Sequence, residues 1–337
     1  MKKFILLFAL LLAFLSSYPN VAQPGIWDAG GSGSFSLLYE GDSVGYKQIR
    51  MAKELVAVQL FNGFAVVRGE YWMYNTTRDS LLIRVGYPLN TSFDADKNGK
   101  RTSIFFDSLS ALKVMIDGKE IALNEVRDIS DSRTDGNINK WYVWNCLFKP
   151  ADTTRIVVYF LVNTNNAGIR EGYVNDKNNA FIYLLETGAI WKNPIGHGTF
   201  LVQLMDELDE DDIHGADPTS IFKFDEDARI LFYEFTDLTP SSINNIILNY
   251  SKRQKDFDFS GISKNSADYF RSSDELASIN ISELKLKEIS FGSAYDAKGF
   301  SFMTLILIVV AVVGLMIATG VIIGLVKIVK SIRKKRS

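Results

Sequence analysis

The chain has 337 residues, a single cysteine and nearly balanced charge, with 37 Lys and Arg against 39 Asp and Glu. Without Lys2, Lys3 and the six cations of the C-terminal tail, 29 basic groups face 39 acidic ones. That negative balance argues against nucleic acid or another polyanion as a generic partner, which needs a cationic surface. With Cys146 alone, no intramolecular disulfide can form, so an exported domain must rely on its core.

Lys2 and Lys3 precede an apolar run from Phe4 to Leu15, followed by small and polar residues. This order is that of a secretory signal peptide. The run is too short to cross a hydrocarbon core of ~30 Å. Cleavage is expected between Ala22 and Gln23, so residues 1–22 are the signal and 23–300 the exported part. The lysine-led signal and the absence of disulfides fit a bacterial cell envelope.

From Ser34 to about Tyr250 the texture is that of strands. Glu54–Phe61 and Phe64–Tyr74 flank Asn62-Gly63, a type I′ hairpin signal because both residue types tolerate positive φ. Leu112, Val114 and Ile116 alternate with more polar residues, and Asp117-Gly118 turns the chain into Glu120–Val126. Further strands are expected at Leu81–Tyr87, Trp141–Phe148, Thr154–Asn163, Phe181–Glu186, Thr199–Met205, Arg229–Phe235 and Asn245–Tyr250. Several are apolar on both faces, as in strands buried between layers. Residues 23–250 are therefore expected to form a mainly β, antiparallel β-sandwich ectodomain.

Candidate ligand-binding residues are few. Trp191 and Pro194 are placed either to form an apolar ledge for a ligand or, as the favoured reading, to close one end of the sandwich, and His197 lies between two glycines in Ile195-Gly-His-Gly-Thr, where a turn histidine is the favoured reading. His197 and His214 are the only histidines, which restricts metal and acid–base chemistry. The densest acidic run holds Asp206, Glu207, Asp209, Glu210, Asp211 and Asp212, with Asp209 and Asp211 as its candidates. Carboxylates of this kind suit Ca²⁺, but neither this run nor Asp94-x-Asp96-Lys-Asn98-Gly99 has EF-hand spacing, so no cofactor is expected. Trp141 and Trp144 are three apart and point to opposite faces of a strand. No phosphate loop, dinucleotide fingerprint, zincin motif or Cys-x-x-Cys is present.

Two resemblances rest on these segments. Val67-Arg-Gly-Glu-Tyr-Trp-Met-Tyr-Asn-Thr-Thr with Ile83-Arg-Val-Gly-Tyr-Pro resembles the opening of an uncharacterised family of bacterial extracytoplasmic β domains. Glu186-Thr-Gly-Ala-Ile-Trp-Lys-Asn-Pro-Ile-Gly and Phe232-Tyr-Glu-Phe-Thr-Asp-Leu-Thr-Pro are similar to its later strands, about residues 30–250 in all. The resemblance implies a location and a fold but no activity. Further on, Asp274-Glu-Leu, Ser282-Glu-Leu-Lys-Leu and Tyr295-Asp-Ala-Lys-Gly-Phe resemble the small bacterial extracellular domain named for its Tyr-Ala-Arg-His-Gly motif. Of that motif only Tyr295 and Gly299 match.

After Tyr250 the composition turns polar, and residues 251–271 are expected to be a linker. Ser272 and Glu275 have capping-box spacing, repeated by Asn280 and Glu283. They lead to an expected membrane-proximal element of two short helices within 251–300, with Gly292 and Gly299 bounding a flexible junction. Phe302 to Val326 is an uncharged apolar run, ~38 Å long as a helix and sufficient to span a bilayer. The expected transmembrane helix is 301–326. Gly320 and Gly324 within it are spaced for close helix packing. Lys327, Lys330, Arg333, Lys334, Lys335 and Arg336 form a basic tail, 327–337, expected to stay cytoplasmic.

The reading is a single-pass cell-membrane protein with its N-terminal domain extracytoplasmic. It would bind a ligand, or assemble with an envelope protein partner or a second copy, and would bind no nucleic acid. The alternative is a cell-envelope hydrolase using carboxylates of the 206–212 loop, although no catalytic constellation is evident.

Overall fold

A computed structural model describes residues 25–27, 35–37, 43–88, 90–97, 100–107, 109–126, 141–171, 174–175, 177–294 and positions 312 and 319. The first half contains β1 (Gly25–Trp27), β2 (Phe35–Leu37), α1 (Ser43–Tyr46), β3 (Ile49–Phe61), β4 (Phe64–Asn75) and β5 (Leu81–Pro88). These are followed by β6 (Asn90–Lys97), β7 (Lys100–Asp107), β8 (Leu109–Ile116), β9 (Lys119–Glu120), β10 (Asn124–Val126) and β11 (Trp141–Phe148). Next come β12 (Thr153–Val162), β13 (Gly168–Glu171), β14 (Val174–Asn175), β15 (Asn178–Tyr183), β16 (Ile195–Leu204) and β17 (Ile213–Asp217). The chain continues through β18 (Lys223–Asp225), β19 (Ile230–Leu238), β20 (Ile246–Lys252), α2 (Phe259–Lys264), α3 (Ser266–Ala277) and β21 (Lys287–Glu288).

The protein is mainly β and built from several sheets. Nine strands form the principal one, in the order β21-β18-β19-β16-β3-β4-β12-β8-β9. Two three-stranded sheets, β10-β11-β5 and β15-β20-β17, share a core with one of its faces. Val56, Val58, Leu60, Val67, Val158 and Phe200 of the large sheet meet Ile83, Val85, Cys146, Phe148, Phe181 and Leu248 of the small ones. On the opposite face, Phe61, Phe64, Val66, Tyr159 and Leu161 pack beneath Phe270 of α3, while Leu201 and Phe232 pack beneath Leu276. Burial from both sides explains why β3 and β4 read as nearly continuous apolar runs. A four-stranded sheet, β14-β13-β7-β6, and the pair β1-β2 complete the strands.

Three expectations are corrected. The large sheet is mixed, because β16 runs parallel to β3, a pairing that the long excursion between them makes sterically accessible. The β3–β4 hairpin closes on Phe61↔Phe64, but only Gly63 of its turn takes positive φ (105°), so the turn is not type I′. By contrast, Asp117 (φ 48°) and Gly118 (φ 79°) both take it between β8 and β9. Third, the helical region starts before Ser272, which lies inside α3. Asp258 caps α2 by accepting from the Gly261 amide at 3.0 Å. The helices begin early because Phe257, Phe259, Ile262 and Tyr269 supply apolar contacts to Phe61 and Phe64. The second expected helix is a single 3-10 turn, Ile281–Glu283, capped by Asn280.

Among the described residues no helix is long and apolar enough to cross a membrane. The expected signal peptide 1–22, the run Phe302–Val326 apart from positions 312 and 319, Gly320, Gly324 and the expected cytoplasmic tail lie outside them.

Candidate functional site

The sequence candidates fall in three separate places. Trp191 is a core residue, 1% exposed, with Tyr46 and Phe148 against its ring at centroid distances of 5.0 and 6.3 Å. Its faces are covered, so no ledge forms. Asp209 caps the 3-10 turn Glu210–Asp212, accepting from the Asp211 amide at 3.0 Å, while Asp212 accepts from the Asp209 amide in return. Asp211 is exposed beside it. Among the described residues no three His, Cys, Asp or Glu side chains are disposed to hold a metal ion. The string Asp94–Asp96 lies in β6, with Asn98 and Gly99 outside the described residues.

His197 is placed differently from its expected turn. It lies in β16, half-exposed, with Nε2 3.3 Å from Glu234 Oε1 and 3.2 Å from Thr199 Oγ1. Strand alternation puts it on the helix-bearing face of the large sheet, above the part that α3 covers. The same uncovered strip carries Lys53, Trp72 and Arg155, which are register neighbours on β3, β4 and β12. Lys53 Nζ stands 4.8 Å from the Trp72 ring centroid, within cation–π range. Arg155 is half-exposed and donates to the buried Glu70 carboxylate.

Glu70 joins this strip to the helix. Its other oxygen is 2.7 Å from Arg68 Nη1. Arg68 Nε donates to Asp274 Oδ1 of α3 at 2.8 Å, and Tyr159 donates to the same oxygen at 2.8 Å. Burial raises the Glu70 pKa, but hydrogen bonds and charge from Arg155 and Arg68 outweigh it and hold the carboxyl below its usual value. Gln59 Nε2 adds a 2.8 Å hydrogen bond to Ser272 of α3.

Directly behind the strip, on the inner face, lies Glu54. In register it stands between Gly198 of β16 and Tyr71 of β4. It is fully buried, and burial pushes its carboxyl up to about 8. Tyr71, raised by burial and by Glu54, lies 3.0 Å hydroxyl to hydroxyl from Tyr183. Two glycines make this arrangement fit. A Cβ on Gly69 would stand 2.3 Å from the Tyr71 hydroxyl, and one on Gly198 would stand 2.2 Å from the Phe235 ring. Gly198→Ala is therefore expected to displace Phe235 and cost about 1–3 kcal/mol, measured as a lower denaturation midpoint. An unchanged midpoint would show that the ring yields freely. A second buried carboxyl, Glu186, is pushed up by burial to about 7, with the Asn245 hydrogen bond acting in the opposite direction.

Neither Glu54 nor Glu70 was among the sequence candidates, yet parity carries a signal for both. Glu54 shares a face with Val56 and Val58, while Arg68 and Glu70 occupy the same face two residues apart.

No family model and no curated protein matches the chain. Among solved structures it is similar to a candidate nutrient binding protein of Legionella pneumophila, with 14% identity, coverage of 80% of this chain and 82% of that one, and a TM-score of 0.43. It is also similar to an M1 zinc metallopeptidase of Deinococcus radiodurans, with 7% identity, coverage of 60% and 43%, and a TM-score of 0.30. Yeast LTA4 hydrolase is similar at 12% identity, with coverage of 67% and 34% and a TM-score of 0.31. The chain spans less than half the length of these last two proteins.

Proposed function

We propose that the chain is a membrane-anchored, extracytoplasmic binding or assembly module. In this reading residues 1–22 direct export, the β domain stands outside, 301–326 span the bilayer and the basic tail remains in the cytoplasm. The observation that carries the binding role is the strip left open beside α3, where Lys53, Trp72, Arg155, His197 and Glu234 reach solvent from one sheet face. An aromatic ring and an arginine among opposite charges are the side chains that anchor protein interfaces. Arg155 is already oriented by Glu70, so little further ordering is needed on contact. The proposed partner is an envelope or membrane protein, or a second copy of the chain.

Crosslinking in intact cells tests this. The wild-type chain is expected in a species larger than monomer, and Trp72→Ala with Arg155→Ala is expected to remove most of it while the chain remains folded. Recovery of monomer alone from wild-type cells would sink the proposal.

A further inference from the structure

The large sheet carries unmatched charge of opposite sign at its two ends. At the strip, Glu234 lies against His197, and Asp237 pairs with Arg50 at 3.1 Å. The buried Glu70 carboxylate is shared by Arg155 and Arg68. Asp117, at the edge beyond, accepts from the Arg155 amide. Lys53 is exposed and stands against the Trp72 ring, with no carboxylate within ion-pair distance among the described residues. Lys53 and Arg155 flank Trp72 in register, one strand to each side and ~10 Å apart. Tyr74, exposed, continues the aromatic surface two residues along β4. Across β3, β4 and β12 the exposed charge is therefore positive.

The far end of β16 holds the reverse. Beyond Leu204, Asp206, Glu207, Asp209, Glu210, Asp211 and Asp212 follow within one short run, and among the described residues none of them enters an ion pair. Glu207 and Asp211 are exposed. The run is firmly held. Leu208 is buried, Asp209 caps the Glu210–Asp212 turn, and Arg229 donates to the backbone oxygens of Asp206 and Leu208. Pairing with β3 continues to the Met205 amide, which donates to Leu60 O. His197 and Met205 are thus separated by roughly 25 Å of extended strand. The two patches cannot meet within one molecule, and they lie well beyond the ~8 Å range of exposed charges at physiological salt.

We propose that the domain assembles head to tail, the carboxylate-bearing turn at 206–212 of one copy docking on the Lys53–Trp72–Arg155 strip of the next. This rests on the binding-module reading and names its partner as a second copy of the chain. Complementary charge selects that partner, because one fold displays both halves and neither is compensated by its own neighbours. Both halves are ordered in advance, the strip through Glu70 and the turn through its cap, so docking immobilises few groups. Two different surfaces meet, so the contact is heterologous and each pair keeps one strip and one turn open to further copies. Screening hides the overall negative charge of approaching copies, whereas charges facing each other at the contact stay within its range.

Sedimentation of the full chain in non-ionic detergent tests the contact with two variants. Lys53→Glu with Arg155→Gln disables the strip. Glu207→Lys with Asp211→Lys disables the turn and spares the capping residues Asp209 and Asp212. Protection of buried Cys146 from thiol reagents reports that each remains folded. Should Cys146 become reactive, Lys53→Gln and Glu207→Gln with Asp211→Asn are the milder replacements. Wild type is expected to self-associate, several-fold more weakly when salt rises from about 0.15 to about 0.5 M. Each variant alone should associate about tenfold more weakly or less. An equimolar mixture should recover pairing, since one variant keeps an intact turn and the other an intact strip. Loss in both variants without recovery on mixing would overturn the head-to-tail contact, as would either variant behaving as wild type. Wild type that is monomeric in detergent yet crosslinked in cells would overturn self-assembly and leave a different protein at the strip. Monomer under both conditions would sink the binding-module reading as well.

Discussion

Glu54→Gln is expected to stabilise the protein at pH 8 by about 3–5 kcal/mol and to leave it almost unchanged at pH 4. The cause is burial, which holds the Glu54 carboxyl protonated up to about 8. An unfolded glutamate ionises near pH 4.3. Between those values the folded state must keep a proton that the unfolded state has released, so stability falls as pH rises through the window and levels off above it. Glutamine retains the size and removes the ionisation. At roughly 2–4 °C per kcal/mol for a domain of this size, the midpoint should rise by about 10 °C at pH 8. Glu186, raised to about 7 by burial, should account for a smaller decline that persists in the variant. Thermal denaturation of the full chain in detergent at pH 4, 6 and 8 measures all three points. If the wild-type and Glu54→Gln midpoints run parallel across that range, the carboxyl is not held neutral.

The opposite sign is expected at Glu70. Glu70→Ala leaves Arg68, with a side chain 7% exposed, facing only Asp274, whose side chain is 51% exposed. Loss of one partner of a buried pair costs about 3–5 kcal/mol, because the remaining charge is desolvated without compensation. Asp274→Ala should cost far less, since that carboxylate is partly solvated. The double replacement Arg68→Met with Glu70→Leu should recover most of the loss by exchanging charge for apolar packing. Because the Glu70 carboxyl titrates below its usual value, its contribution is present above the unfolded carboxylate range and is lost as pH falls through the depressed folded value. A double replacement no more stable than Glu70→Ala would show that packing, not the stranded charge, sets the cost. The two carboxylates occupy opposite faces of the same sheet, and their surroundings give them opposite pH behaviour.

Most strands were legible because their apolar runs are bounded by turn residues. Trp141–Phe148 coincides with β11, and Asn62-Gly63 sits at the predicted hairpin. Ile213–Asp217 and Lys223–Asp225 were not legible. These short strands carry His214, Asp217, Lys223 and Asp225 among their few apolar residues, and their pairing comes from distant partners. The parallel contact of β16 with β3 was likewise beyond local patterns, since a strand's own residues do not state its neighbour's direction. Trp191 left two readings, a ligand ledge and the favoured closed end of the sandwich, because tryptophan beside proline suits either a surface or a core position. Only the closure of Tyr46 and Phe148 over it decided between them.

Alone, the sequence determined where β structure occurs, where one hydrophobic stretch is long enough for a bilayer and another is not, and how few groups are available for chemistry. Those properties depend on residue type and spacing within a single segment. Tertiary structure decided that Glu54 is walled in by tyrosines, that Arg155 and His197 share one open face, and that residues 285–294 are zipped to strands some seventy residues earlier in the chain. Desolvation, shared faces and strand pairing all depend on distances between residues far apart in the chain, which local periodicity does not encode.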